Sequence, residues 1–218
     1  MTDIRRIAVQ EAVHGENDLL AAGVRDALGR RGIFMVNVMG APGAGKTSTI
    51  LSTVKHFTTQ VPYVVEGDIE SDLDARSMRA AGIETVQINT GGACHLDSPL
   101  VAAAVEELSF ASKGILFIEN IGNLVCPAEF TIGEHARMLV STVTEGSDKP
   151  YKYPLAFEKA DLVVLNKCDL LPYVDFDEAF FLKGFRALNP TAPFFKVSAR
   201  TGEGFAAVAA WLEARAGA

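Results

Sequence analysis

Residues 40–47 read GAPGAGKT, a complete G-x-x-x-x-G-K-[ST] run, and no other feature restricts the fold of this chain as strongly. The run follows the apolar segment IFMVNVM and precedes a helical stretch, the strand–loop–helix context on which its meaning depends. Gly40, Gly43 and Gly45, with Ala44 between the last two, leave the backbone free to wrap its N–H groups around phosphate oxygens. The helix that follows adds its positive end, so Ser48 at its start joins the phosphate-binding set. Lys46 is placed to reach the β- and γ-phosphates, and the Thr47 hydroxyl to ligate Mg2+.

The rest of the chain has the pattern such a loop requires. Strands are expected at Ile33–Met39, Tyr63–Glu66, Glu84–Asn89, Gly114–Glu119, Met138–Thr144, Asp161–Asn166 and Phe194–Val197, and helices beginning near Asn17, Gly45, Asp72, Asp97, Asp175 and Glu203. GILFIEN and LVVLN are apolar throughout rather than alternating, as in strands covered on both faces. The expected fold is therefore α/β: a mostly parallel, doubly wound sheet flanked by helices, with its ligand site at the carboxyl ends of the strands. With 218 residues and 49% hydrophobic content, one domain over 1–218 suffices, residues 1–31 forming an N-terminal helical extension.

Asn166-Lys167-Cys168-Asp169 ends LVVLN and has the N-K-x-D pattern. Guanine offers two donors on one edge, which the carboxylate of Asp169 can accept together and which adenine lacks. Asn166 is expected to brace the loop and the Lys167 stem to cover the base. Ser198, Ala199 and Arg200 fit a loop that caps the base from the other side. Glu119, in Glu119-Asn120-Ile121-Gly122 after a strand, is placed to hold Mg2+, with Gly122 beside the phosphates. Asp68, and after it Asp72, are candidates to order the Mg2+ shell or the attacking water; capping of the helix that follows is the competing reading for Asp72. GTP, GDP and Mg2+ are the implied cofactors, and GTP hydrolysis the implied reaction.

The three cysteines are too few and too uneven for a disulfide framework. Cys94, His95 and Cys126 offer thiolate and imidazole donors suited to Ni2+ or Zn2+. Three ligands leave either an open site or one completed by a second chain. Cys168 reads as packing, His14 and His56 as surface residues, and His135 as a minor candidate. A formal net charge of −7 disfavours nucleic acid and anionic lipid as partners. No apolar run approaches the ~20 residues of a membrane span, and MTDIRRIAVQEAVHGEND carries charges where a signal peptide needs apolar residues, so a cytoplasmic location is expected.

GAPGAGKT, EGDIESDLDA, NTGGACHLD, FIENIGNLVCPAEF, TEGSDKP and NKCDLL together resemble, in order and spacing, the HypB family of GTPases that serve nickel insertion into [NiFe] hydrogenase. The resemblance covers the chain from about Asn17 onward. It implies a SIMIBI-type P-loop GTPase and GTP-dependent homodimerisation. It also implies a Ni2+ or Zn2+ site of Cys94, His95 and Cys126 near the dimer interface, and the metallochaperone HypA and the hydrogenase large subunit as partners. Lys149 or Lys152 becomes a candidate for reaching a partner's nucleotide. Some members carry an N-terminal Cys-x-x-Cys-Gly-Cys site or histidine-rich stretch; the first residues of this sequence hold no cysteine and one histidine, His14, so high-affinity nickel storage is not expected of them. The related urease accessory GTPases carry a Cys-Pro-His motif, whereas Cys-His and Cys-Pro are separate in this chain. A P-loop small-molecule kinase with structural cysteines, and a nickel chaperone without turnover, are the remaining alternatives.

Overall fold

A computed structural model describes residues 9–68 and 72–217. Seven strands, β1 (Ile33–Met39), β2 (Val61–Asp68), β3 (Glu84–Asn89), β4 (Gly114–Glu119), β5 (Ala136–Thr142), β6 (Leu162–Asn166) and β7 (Phe194–Lys196), form one sheet in the order β3-β2-β4-β1-β5-β6-β7. Every pairing is parallel. The nine helices among the described residues are α1 (Val9–Arg30), α2 (Lys46–Val54), α3 (Leu73–Ala80), α4 (Ser98–Glu106), α5 (Cys126–Glu129), α6 (Lys149–Lys152), α7 (Pro154–Glu158), α8 (Glu178–Leu188) and α9 (Phe205–Ala216).

Both faces of the sheet are buried, which is why β4 and β6 carry no polar alternation. Val36, Val38, Val64 and Phe117 meet Ile50 of α2, Met78 of α3 and Phe205, Val208 and Leu212 of α9 on one face. On the other, Ile33, Met35, Tyr63 and Leu116 meet Val24 and Leu28 of α1 and Val101 and Ala104 of α4. Further along that face, Leu139, Val163 and Leu165 pack on Phe157 of α7 and Phe181 and Phe185 of α8. Phe181 and Phe185 lie one helical turn apart, and Asp177 caps their helix by accepting from the Phe180 N–H at 2.9 Å.

Several boundaries differ from the sequence expectation. β2 continues through Asp68 because it pairs on both sides, with Glu66 opposite Glu119 and Asp68 opposite Asn89. β5 starts earlier and stops at Thr142, where residues 143–145 wind into a 3-10 turn closed by reciprocal Thr142 and Glu145 bonds. α1 starts at Val9 rather than Asn17, and α8 at Glu178 rather than Asp175. The short helices α5, α6 and α7 had no sequence signal; at four or five residues each they are too short to show a periodic apolar face. No helix among the described residues is long and apolar enough to cross a membrane.

Candidate functional site

The loops at the carboxyl ends of the strands gather every motif singled out above. The phosphate loop leaves β1, the central strand, and turns into α2 through Gly45, whose φ of 86° is costly for any residue with a Cβ. No side chain caps α2, so the N–H groups of its first turn face the loop unclaimed, as phosphate binding requires. Lys46 is buried and Ser48 is exposed at the rim. Gly122, from the loop after β4, lies against this loop so closely that a Cβ would meet Pro42 Cα at 2.9 Å.

A cavity of about 350 Å³ opens beside the phosphate loop, lined by Gly45, Ser48, Asn166, Lys167, Asp169 and Arg200 among others. Asn166, 1% exposed, holds its geometry. Its Nδ2 donates to the carbonyl of Ala44 at 3.1 Å, while Oδ1 accepts from the Lys167 N–H at 2.7 Å and the Ala199 N–H at 3.2 Å. One amide thus ties the phosphate loop to the loops after β6 and β7. Lys167 adopts φ 61°, and its Nζ donates to the Gly43 carbonyl at 2.7 Å, so the ammonium closes over the phosphate loop as its stem passes the cavity. The Ser198 hydroxyl donates to Asp169 Oδ1 at 2.7 Å and orients the carboxylate.

Glu119 stands at the end of β4, 4% exposed, and accepts from the Thr47 hydroxyl at 2.9 Å through Oε1. Its Oε2 is buried without a hydrogen-bond partner. Burial raises its pKa to about 7 against the lowering pull of Lys46. The donor set fits a hard divalent cation: a hydroxyl and a carboxylate already in contact, with one carboxylate oxygen left over. Asp68 is half-buried at the end of β2 and accepts from Thr90 through its backbone carbonyl.

Asp72 departs from the capping expectation. It sits at the N-cap of α3 but makes no capping bond, because its carboxylate pairs with Arg76 one turn later, at 2.8 and 2.6 Å. The intervening residues 69–71 lie outside the described residues, as does the His14 side chain. Glu66 opens the acidic segment that ends at Asp72, but the sequence reading favours Asp68 and Asp72 over it. It is 1% exposed, faces the same side of the sheet as Glu119, and burial followed by the Glu119 charge raises it to about 8. The signal that marks it is an acid at an inward position of an otherwise apolar strand.

Past β3 and β4, the donor atoms of Cys94, His95 and Cys126 all lie within 4.8 Å of one another. The two sulfurs are 3.1 Å apart, and His95 Nδ1 is 3.6 Å from Cys94 Sγ. Phe130 stacks on the His95 ring at 4.3 Å and fixes its plane. The hydrogen bond to Cys126 holds the Cys94 thiol above its ordinary range, so binding of a soft metal would release protons. The cluster is partly open to solvent and has three protein donors, which fits a labile site.

The loop between Glu119 and Cys126 touches both centres. Asn120 accepts from the Leu96 N–H at 3.1 Å, next to His95, and Asn123 donates to the Cys94 carbonyl at 3.1 Å. Asn123 also forms an isolated bridge with Gly40, the first residue of the phosphate loop.

The remaining candidates make local contacts. Cys168 is half-buried, its thiol bonded to the Leu165 carbonyl, and His56 is exposed. His135 clasps β1 to the start of β5: its Nδ1 accepts from the Met35 N–H at 2.9 Å, and its backbone N–H donates to the Met35 carbonyl at 2.7 Å. Lys152 is ion-paired with Asp148 at 2.5 Å, and Lys149 lies 5.5 Å from the Tyr153 ring.

The family described as CobW/HypB/UreG, nucleotide-binding domain, matches residues 34–196. The chain is 46% identical to the hydrogenase maturation factor HypB of Rhizobium leguminosarum bv. viciae, over 99% of this chain and 73% of that protein. Its fold is similar to that of HypB from Helicobacter pylori crystallised in complex with nickel, at TM-score 0.88 and 32% identity, covering 92% and 95% of the two chains. It is also similar to the hydrogenase maturation factor HypB from Archaeoglobus fulgidus, at TM-score 0.85 and 35% identity, covering 93% and 99%.

Proposed function

Because the chain belongs to the CobW/HypB/UreG family of nucleotide-binding proteins, on its HypB side, we propose that it is a GTPase that delivers nickel during [NiFe] hydrogenase maturation. The observation that carries the reading is the convergence of Cys94, His95 and Cys126 one short loop away from a guanine-type nucleotide site. The nickel-bound relative supports nickel over zinc as the cargo.

Asp169, held by Ser198, accepts the two donors of guanine, and Asn166 keeps the base loop and the phosphate loop in register. The N–H groups at the start of α2 and the Lys46 ammonium take the phosphates; Gly40, Gly43, Ala44 and Gly45 shape their path. Thr47, Asp68 and Glu119 would hold Mg2+. That ion supplies charge neutralisation at the β- and γ-phosphates. Positioning and charge compensation carry phosphoryl transfer to water, with little covalent work for the protein. Asp68 orients the attacking water. Asp72 is the second choice, since leaving Arg76 would have to come first.

Nickel binds the two thiolates and the imidazole as cargo. Replacing γ-phosphate by solvent at the phosphate loop shifts the 120–126 loop through Gly40 and Gly122, and with it Cys126. The open coordination position and the surface position of the cluster support completion of the site by a second copy, hence a homodimer tightened by GTP. HypA and the hydrogenase large subunit are its partners, and the cytoplasm its location.

Nickel titration of the purified protein with GDP and with a non-hydrolysable GTP analogue, while molecular mass is followed, tests this. The affinity or the mass should differ between the two nucleotide states. Identical nickel binding and identical mass in both would remove the proposal, and a small-molecule phosphate acceptor consumed with GTP would replace it by a kinase.

A further inference from the structure

We propose that Glu66 is a second buried carboxylate of the cation site, a positioning residue that holds the water shell of the divalent cation together with Glu119. The inference rests on the nucleotide and Mg2+ reading given above and adds a residue to it.

Glu66 and Glu119 are register partners on adjacent parallel strands, so their side chains leave the same face of the sheet about 5 Å apart at the backbone. They are 1% and 4% exposed, and each has an Oε2 that is buried with no hydrogen-bond partner. Two orphaned acceptors side by side are costly in a folded protein unless a donor or a cation belongs between them. A hydrated divalent cation would supply those donors, its waters pointing outward to the carboxylate oxygens. Packing gives no reason for an acid here: the same face continues through Val64 and Phe117, both fully buried, and an aliphatic residue would continue it without the desolvation cost.

Release of a fluorescent GDP analogue, followed over a Mg2+ titration and in excess chelator, tests the assignment on the full chain. In the wild-type protein Mg2+ should slow release. In Glu66→Gln the Mg2+ concentration giving half of that slowing should rise about ten- to hundredfold, the usual effect of losing an outer-shell partner. The rate in chelator should stay as in the wild type. Glu66→Met, a hydrophobic replacement of similar length, should show the same loss of Mg2+ sensitivity while its thermal midpoint without nucleotide is equal or higher, which separates cation binding from folding. A wild-type Mg2+ dependence retained in both variants overturns the role of Glu66. A wild-type protein that binds GDP but ignores Mg2+ overturns the cation reading itself.

Discussion

Asn166 gives the sharpest test of how the site is held together. Its side chain makes three hydrogen bonds, to the Ala44 carbonyl, the Lys167 N–H and the Ala199 N–H, at a position only 1% exposed. Each bond is worth about 1 kcal/mol, and truncation leaves the backbone partners with little water to replace it. Asn166→Ala should therefore cost about 3 kcal/mol of unfolding free energy, which in a chain of this size lowers the thermal midpoint by roughly 6–12 °C. Asn166→Asp keeps both accepting contacts but sets a carboxylate oxygen against the Ala44 carbonyl, so its cost should fall between wild type and Asn166→Ala. Urea unfolding without nucleotide is the assay, with the slope expected to stay constant while the midpoint moves. An Asn166→Ala protein within about 0.5 kcal/mol of wild type would refute the view that this amide clamps the phosphate loop to the base loops.

Cys126→Ser should lower nickel affinity by at least about tenfold by removing one of three soft donors, measured by competition with a chromophoric chelator; unchanged affinity would show that the cluster is not the nickel site. Asp169→Asn should abolish the preference for GDP over ADP, read by competition, because an amide cannot accept both donors of guanine. Partial burial works against the charge of Glu213, but the N–H groups of Thr59 and Thr58 and their hydroxyls hold its carboxyl down at about 2, pinning α9 to the loop before β2. A lowered folded-state value means that this stability is fully present above the unfolded value near 4.5 and fades as pH falls toward 2. Glu213→Ala should thus lose about 1 kcal/mol near neutral pH, after discounting for solvent screening, and the gap to wild type should close between those limits in pH-dependent urea unfolding.

The parts of the site that were legible in the sequence are those fixed by local spacing. GAPGAGKT, NKCD and the Cys94-His95 pair need only a few residues and a flanking strand to be interpreted, and Thr47 does meet Glu119. What was hidden depends on which strands are neighbours. Glu66 looks like one more residue of a strand until β2 is known to lie beside β4 in a register that faces it with Glu119. The Asp72 cap failed because Arg76, one turn away, competed for the same carboxylate. Asn120 and Asn123 lay inside the ENIGNLVCP segment with no role of their own to read; their bonds to the 94–96 loop arise only where the ends of β3 and β4 converge.

Those two asparagines have a consequence that can be measured from either end. A segment in contact with both the phosphate loop and the thiol cluster cannot report in one direction only. Whatever factor separates the nickel affinities of the GDP and GTP forms must, by thermodynamic linkage, equal the factor by which nickel shifts the preference between the two nucleotides. If that factor differs from one, a nickel-loaded molecule would be biased in its choice of nucleotide, and two independent titrations must close on one number.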